Sequence, residues 1–177
     1  MAQVDLKISG VVSETTSTPA SNMENDDGST TNFVNGQLAL VSLDDMPSNV
    51  DSITSATIHF QANINPTKTV AAVDLNLLDS SGTVLRSGAI TVDAPTAVNY
   101  TSDTWTTYID GGATSTWDTT VVNDMRLFIK HAGNLSGIPL LEADYAFVRV
   151  VYTETVIPPT VKLTSGKVIL TNGKVSV

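Results

Sequence analysis

Any chemistry in this chain has to be built from two histidines, 18 carboxylates and no cysteine, spread over 177 residues. The absence of cysteine excludes disulfides and thiolate metal sites. His59 falls on the polar side of an alternating run and lacks a second nitrogen or carboxylate at ligand spacing, so it reads as a surface histidine. His131 opens a loop and has no nucleophile-and-acid pattern near it. No serine or carboxylate pair stands at a telling spacing, so no catalytic residue is assigned and an enzyme is not expected. Glu24, Asp26 and Asp27 gather before Gly28, and carboxylates beside a glycine can hold calcium. The full spacing of a calcium loop is missing, however, and acidic turns are common. A solvated turn is preferred, and no metal or other cofactor is assigned. Tyr100, Trp105 and Trp117 could stack on a sugar, which would make the chain a carbohydrate-binding module. Against that, Trp105 reads as a core anchor, and Trp117 as a plug over the end of a sandwich.

The elements that would position these groups are strands. Ala143 to Glu154 is the longest strand signal, aromatic and β-branched on both faces, and is expected to be central and covered on both sides. Ser52 to Ile64 alternates cleanly, with Thr54, Ala56, Ile58, Phe60, Ala62 and Ile64 facing a core and His59, Gln61 and Asn63 facing water or a partner. Gln37–Leu43, Val70–Leu78, Val84–Val92 and Met125–His131 read as further strands, and the short turn Asp79–Thr83 makes a hairpin of the second and third. About eight strands and no convincing helix imply an all-β antiparallel sandwich, jelly-roll or Ig-like. The expected domain covers residues 21–157. Residues 1–20 read as an N-terminal arm and 158–177 as a C-terminal strand tail.

Formal net charge is −9, which argues against nucleic-acid phosphates as partners. The first residues carry no apolar run and no stretch is long enough to span a bilayer, so synthesis in the cytoplasm and no membrane partner are expected. After Pro158-Pro159 the unit Leu163–Val168 recurs as Leu170–Val175. Two such units cannot bury a core. The tail is therefore expected to add strands to a neighbour, most simply another copy, through Val161, Lys162, Leu163, Lys167, Val168, Leu170, Lys174, Val175 and Val177. Folding back on its own body is the alternative.

The body also resembles small jelly-roll structural proteins of tailed bacteriophage particles. The resemblance rests on the acidic turn leading to a strand (Glu24, Asp26, Asp27, Thr30, Thr31, Phe33, Val34), on Leu43-Asp44-Asp45-Met46-Pro47, and on the alternating run Ile53 to Ile64. The Trp105 segment, the late strand Phe147 to Glu154 and the Leu163–Val175 tail complete it. It favours the jelly-roll. It implies a non-enzymatic virion protein, a head decoration or a tail, neck or fibre part. Such a protein would be homo-oligomeric and held to capsid or tail neighbours by its arms.

Overall fold

The computed structural model describes residues 1–64, 70–133 and 141–156, and the backbone alone of 160–164 and 167–171. In chain order the strands are β1 (Ala2–Glu14), β2 (Thr31–Phe33), β3 (Leu38–Leu43), β4 (Val50–Ile64), β5 (Ala71–Leu78) and β6 (Val84–Val92). They continue with β7 (Val98–Thr101), β8 (Thr107–Asp110), β9 (Ala113–Thr116), β10 (Arg126–His131), β11 (Leu141–Glu154), β12 (Thr160–Thr164) and β13 (Lys167–Thr171). A 3₁₀ turn covers Ala20–Glu24, and one helical turn, α1, covers Thr119–Asn123.

The fold is an antiparallel β-sandwich of jelly-roll type. One sheet runs β1-β11-β4-β7, with β2 pairing the start of β11, and the other runs β1-β3-β10-β5-β6. β1 serves both. Its first half pairs β11 from Ala2↔Tyr152 to Lys7↔Phe147, and its second half pairs β3 from Ile8↔Leu43. Register shifts at Ile8/Gly10 and Val11/Ser13 turn the strand from one sheet into the other, as bulges do. Residues 1–20, expected as an arm, are therefore an integral strand and the turn after it, with Leu6 and Ala20 wholly buried.

The core lies between the sheets. It collects Leu6, Phe33, Val41, Ile58, Phe60, Leu75, Leu77, Leu127, Ile129 and Val148, all without solvent exposure. The alternation of β4 holds from Ala56 onward, with Ala56, Ile58, Phe60, Ala62 and Ile64 inside. Before it, Thr54 is exposed and Ile53 and Ser55 are buried, because the register slips between Val151↔Ser55 and Tyr152↔Ile53. A second slip between Ala143↔Ala62 and Tyr145↔Gln61 bulges β11 at Asp144. That bulge sends Ala143 inward and leaves Tyr145, Phe147 and Arg149 on the outer face. β11 is thus central in its sheet, but only its inner face is buried. The outer one stays half-exposed, contrary to expectation.

β12 and β13 pair with each other as an antiparallel hairpin, Val161↔Leu170 and Leu163↔Val168 among the partners, in a two-stranded sheet of its own. The tail residues Val161, Lys162, Leu163, Lys167, Val168 and Leu170 lie on this hairpin. Lys174, Val175 and Val177 lie outside the described residues.

Candidate functional site

The outer face of the β1-β11-β4-β7 sheet brings together a group of aromatic and polar side chains. Cross-strand pairing builds it. Phe147 of β11 stands between Lys7 of β1 and His59 of β4, and His59 in turn pairs with Thr101 of β7. One step along, Arg149 lies between Asp5 and Thr57, and one step back Tyr145 lies beside Gln61. Rows on one face of a sheet are about 7 Å apart along a strand and about 4.8 Å apart across it, so all of these groups are within mutual reach.

The contacts are specific. His59 stacks on Phe147 with ring centroids 4.6 Å apart and planes within 2°. Tyr145 meets Phe147 at 5.2 Å and 40°. The Arg149 guanidinium sits over the Phe147 ring, 5.4 Å from its centroid, a cation–π placement. Its other side is gripped by Asp5, with Nε donating to Oδ1 at 2.7 Å and Nη2 to Oδ2 at 2.8 Å. This fork-to-fork pair fixes the guanidinium in a plane. At the far end Asn63 Nδ2 donates to Glu142 Oε2 at 2.8 Å. Each group is half-buried, held by neighbours yet open to solvent.

Electrostatics follow from the pairing. The hydrogen bonds from Arg149 hold the Asp5 carboxyl below its usual range, and Asp5 in turn raises Arg149. Burial lowers His59, and the nearby Arg149 cation lowers it further. Near neutral pH the ring on Phe147 is therefore an uncharged imidazole, able to donate from one nitrogen and accept at the other.

The aromatics expected to stack on a sugar lie elsewhere. Trp105 and Trp117 are buried, 8% and 4% exposed, because both close the end of the sandwich. Trp117 Nε1 donates to the Trp105 carbonyl at 2.9 Å, Trp105 forms a two-way backbone bridge with Ala56, and Tyr108 packs on Trp117 at 5.2 Å. The Trp105 ring also covers Gly88, where a Cβ would come within 3.2 Å of it. Tyr100 is half-buried, and its hydroxyl ties the chain at Asp93 and Ala94. These three residues are structural and form no common platform.

Among the described residues, cavities lie at the ends of the strands. One, about 170 Å³, is lined by Val50–Ile53 and Trp117–Thr119. The other, about 220 Å³, is lined by Tyr108, Leu85 and three aspartates, Asp79, Asp110 and Asp124. Asp79 is spent on its turn, accepting from the Ser81 and Thr83 backbone N–H groups and the Ser81 hydroxyl. The Ser81 bonds lower its pKa, the wrong direction for a general acid.

The acidic turn meets Asp144 at the β11 bulge. Asp144 Oδ1 accepts from Gly28 N–H at 3.2 Å, and burial, then the charge of Asp26, raises its pKa. Among the described residues no group of three His, Asp or Glu side chains is placed to hold a metal ion. His131 is wholly buried, and neither ring nitrogen has an aligned hydrogen-bond partner among the described residues. Burial lowers its pKa, and the Phe33–Val34 backbone offsets this only in part.

No family model and no curated protein sequence matches the chain. Among solved structures it is similar to the C-terminal family 6 carbohydrate-binding module of LamC from Zobellia galactanivorans, at 10% identity and a TM-score of 0.43, over 84% of this chain and 98% of that one. A family 6 carbohydrate-binding module from Clostridium cellulolyticum in complex with xylose gives 12% identity and 0.40, over 85% and 97%. A family 43 arabinoxylan arabinofuranohydrolase from Bacillus subtilis gives 14% and 0.41, over 82% of this chain. This chain spans only 26% of that enzyme. The expectation of a tailed-phage virion protein is corrected here: the similar structures are carbohydrate-binding modules and glycoside hydrolases. Residues 2–14, expected to reach a neighbour as an arm, pair instead with β11 and β3 of the same chain.

Proposed function

We propose that this chain is a non-catalytic carbohydrate-binding sandwich whose ligand lies over Phe147 on the outer sheet face. A sugar ring has an apolar C–H surface and an equator of hydroxyls. It needs aromatic carbon to cover the first and planar donors and acceptors to meet the second. The outer face offers both within one patch: Phe147, Tyr145 and neutral His59 for the apolar surface, and Arg149, Gln61, Asn63 and Glu142 for the hydroxyls. The observation that carries the reading is the Phe147 cluster, with His59 stacked on it and Arg149 clamped over it by Asp5. Strands hold these groups before any ligand arrives, so little ordering cost is left for binding.

Binding without catalysis fits the ionisable groups. On this face Asp5 is committed to Arg149, and His59 faces a cation rather than a nucleophile. Asp144, whose pKa is raised as a general acid requires, is buried against the Gly28 turn and lines neither cavity.

The test is retention of the chain on a panel of immobilised glycans, with Phe147→Ala and His59→Ala as partners. Expected is binding to at least one glycan, weakened about tenfold or more by either change, since loss of a stacked aromatic costs on the order of 1–3 kcal/mol. Both side chains are outside the core, so both variants should keep the native circular dichroism. Binding that both changes leave intact, or no binding at all, would refute the proposal.

A further inference from the structure

We propose that Asp5 is a specificity-determining residue that restricts this face to uncharged glycan chains. The inference rests on the carbohydrate reading above and adds the ligand's charge class to it. Arg149 is the cation seated over the Phe147 ring, and an unpaired guanidinium at such a place would select carboxylate or sulfate groups. Asp5 removes that option. It takes two of the five guanidinium N–H donors with both carboxylate oxygens, and a negative charge stands against the positive one at 2.7 Å. What remains exposed to a ligand is a flat array of N–H donors with little net field, suited to neutral hydroxyls.

The surroundings point the same way. By strand pairing the charged groups beside Phe147 are Lys7 across the strand and the Asp5–Arg149 pair one step along, and Glu142 lies farther off, bonded to Asn63. His59 is neutral at physiological pH. The chain as a whole carries −9, a background that opposes an approaching polyanion. Asp5 lies 144 residues from Arg149 in the chain, and only the β1–β11 pairing brings them together. The first strand, rather than the aromatic one, therefore sets which sugars the site accepts. The site residues are half-buried on a sheet face and line neither of the two cavities at the strand ends.

The experiment compares neutral polysaccharides (xylan, mixed-linkage glucan, galactan) with acidic ones (polygalacturonate, alginate, a sulfated galactan) by affinity electrophoresis of the intact chain, from about 50 to about 500 mM salt. The wild-type chain should bind one or more neutral polymers with little change across that range, and none of the acidic ones. Asp5→Asn frees the Arg149 charge while keeping the side chain's shape. It should gain binding to an acidic polymer by roughly threefold to tenfold at low salt, and that gain should fade as salt rises. Asp5→Glu, which keeps a carboxylate, should behave like the wild type, and Arg149→Gln should lose neutral binding without gaining acidic binding. A wild-type chain that prefers acidic polymers in a salt-dependent way would overturn the role of Asp5 while leaving the face a glycan site, provided Phe147→Ala abolishes that binding. So would a folded Asp5→Asn chain with unchanged selectivity. No binding to any polymer would overturn the carbohydrate reading and this inference together.

Discussion

Trp117 offers the sharpest separation of scaffold from site. Its side chain is 4% exposed, its Nε1 donates to the Trp105 carbonyl at 2.9 Å, and Tyr108 lies on it at 5.2 Å. Truncation to alanine removes this whole plug and opens a cavity beside Trp105, which costs about 3–5 kcal/mol for a buried tryptophan. The phenylalanine variant is milder. The Trp105 carbonyl also accepts from Ala56 N–H at 3.0 Å, so losing the indole donor leaves no orphaned acceptor. That loss is about 1 kcal/mol, and the missing ring atoms add about as much again. Expected values are therefore roughly 2 kcal/mol for Trp117→Phe and 3–5 kcal/mol for Trp117→Ala, read as shifts in urea midpoint at unchanged slope. Glycan retention by Trp117→Phe should equal that of the wild type under native conditions. The reasoning fails if Trp117→Ala loses less than about 1 kcal/mol. It fails equally if a folded Trp117→Phe chain no longer binds glycan, which would return Trp117 to the role of stacking platform.

Three further expectations follow from packing and charge. Gly88→Ala places a methyl 3.1 Å from the Leu75 carbonyl and 3.2 Å from the Trp105 ring, so it should cost about 1–3 kcal/mol in chemical denaturation. His131 is buried with its pKa lowered, so the unfolded chain binds the proton more readily. Stability from this group is full above about pH 6.5 and falls as pH drops through that value towards the folded pKa. His131→Leu should flatten that limb of a urea-midpoint profile, and an unaltered limb would contradict the assignment. Asp144 has the opposite sign. Its raised pKa means the charged form destabilises the fold at neutral pH, a penalty relieved as pH falls through the folded value towards 3.8. Asp144→Asn keeps an acceptor for Gly28 N–H and removes the repulsion by Asp26. It should raise stability by a few tenths to about 1 kcal/mol at neutral pH, with the gain shrinking in acid.

How much of this was legible in the sequence varies by element. β6 runs from Val84 to Val92 as its pattern indicated, because its flanking turn, Asp79–Thr83, is written in local chemistry. The Trp117 side chain is buried at the end of the sandwich, and this plug role was legible in its place within a short polar loop between strands. The bulges at Thr54 and Asp144 were not. A bulge inserts one residue against a partner far away in the chain, and no local alternation announces it. The site escaped for the same reason. Tyr145, Phe147 and Arg149 stood in sequence as one face of a strand, but two apolar faces suggested burial on both sides. What makes that face a site is its register with His59 and Asp5, set by pairing over 88 and 144 residues. The one available signal was the face's composition, aromatic and charged where the opposite face is Ala146, Val148 and Val150.

The measurement closest to the central claim is a two-dimensional amide spectrum of the labelled chain, titrated with a neutral oligosaccharide that it retains. Shifts should concentrate on β4 around His59, on β11 from Tyr145 to Arg149, and on β1 near Asp5, while Trp105 and Trp117 indole signals stay in place. Shifts centred on the Trp117 cavity, or confined to the turn around Asp26, would contradict a glycan site on the outer sheet face.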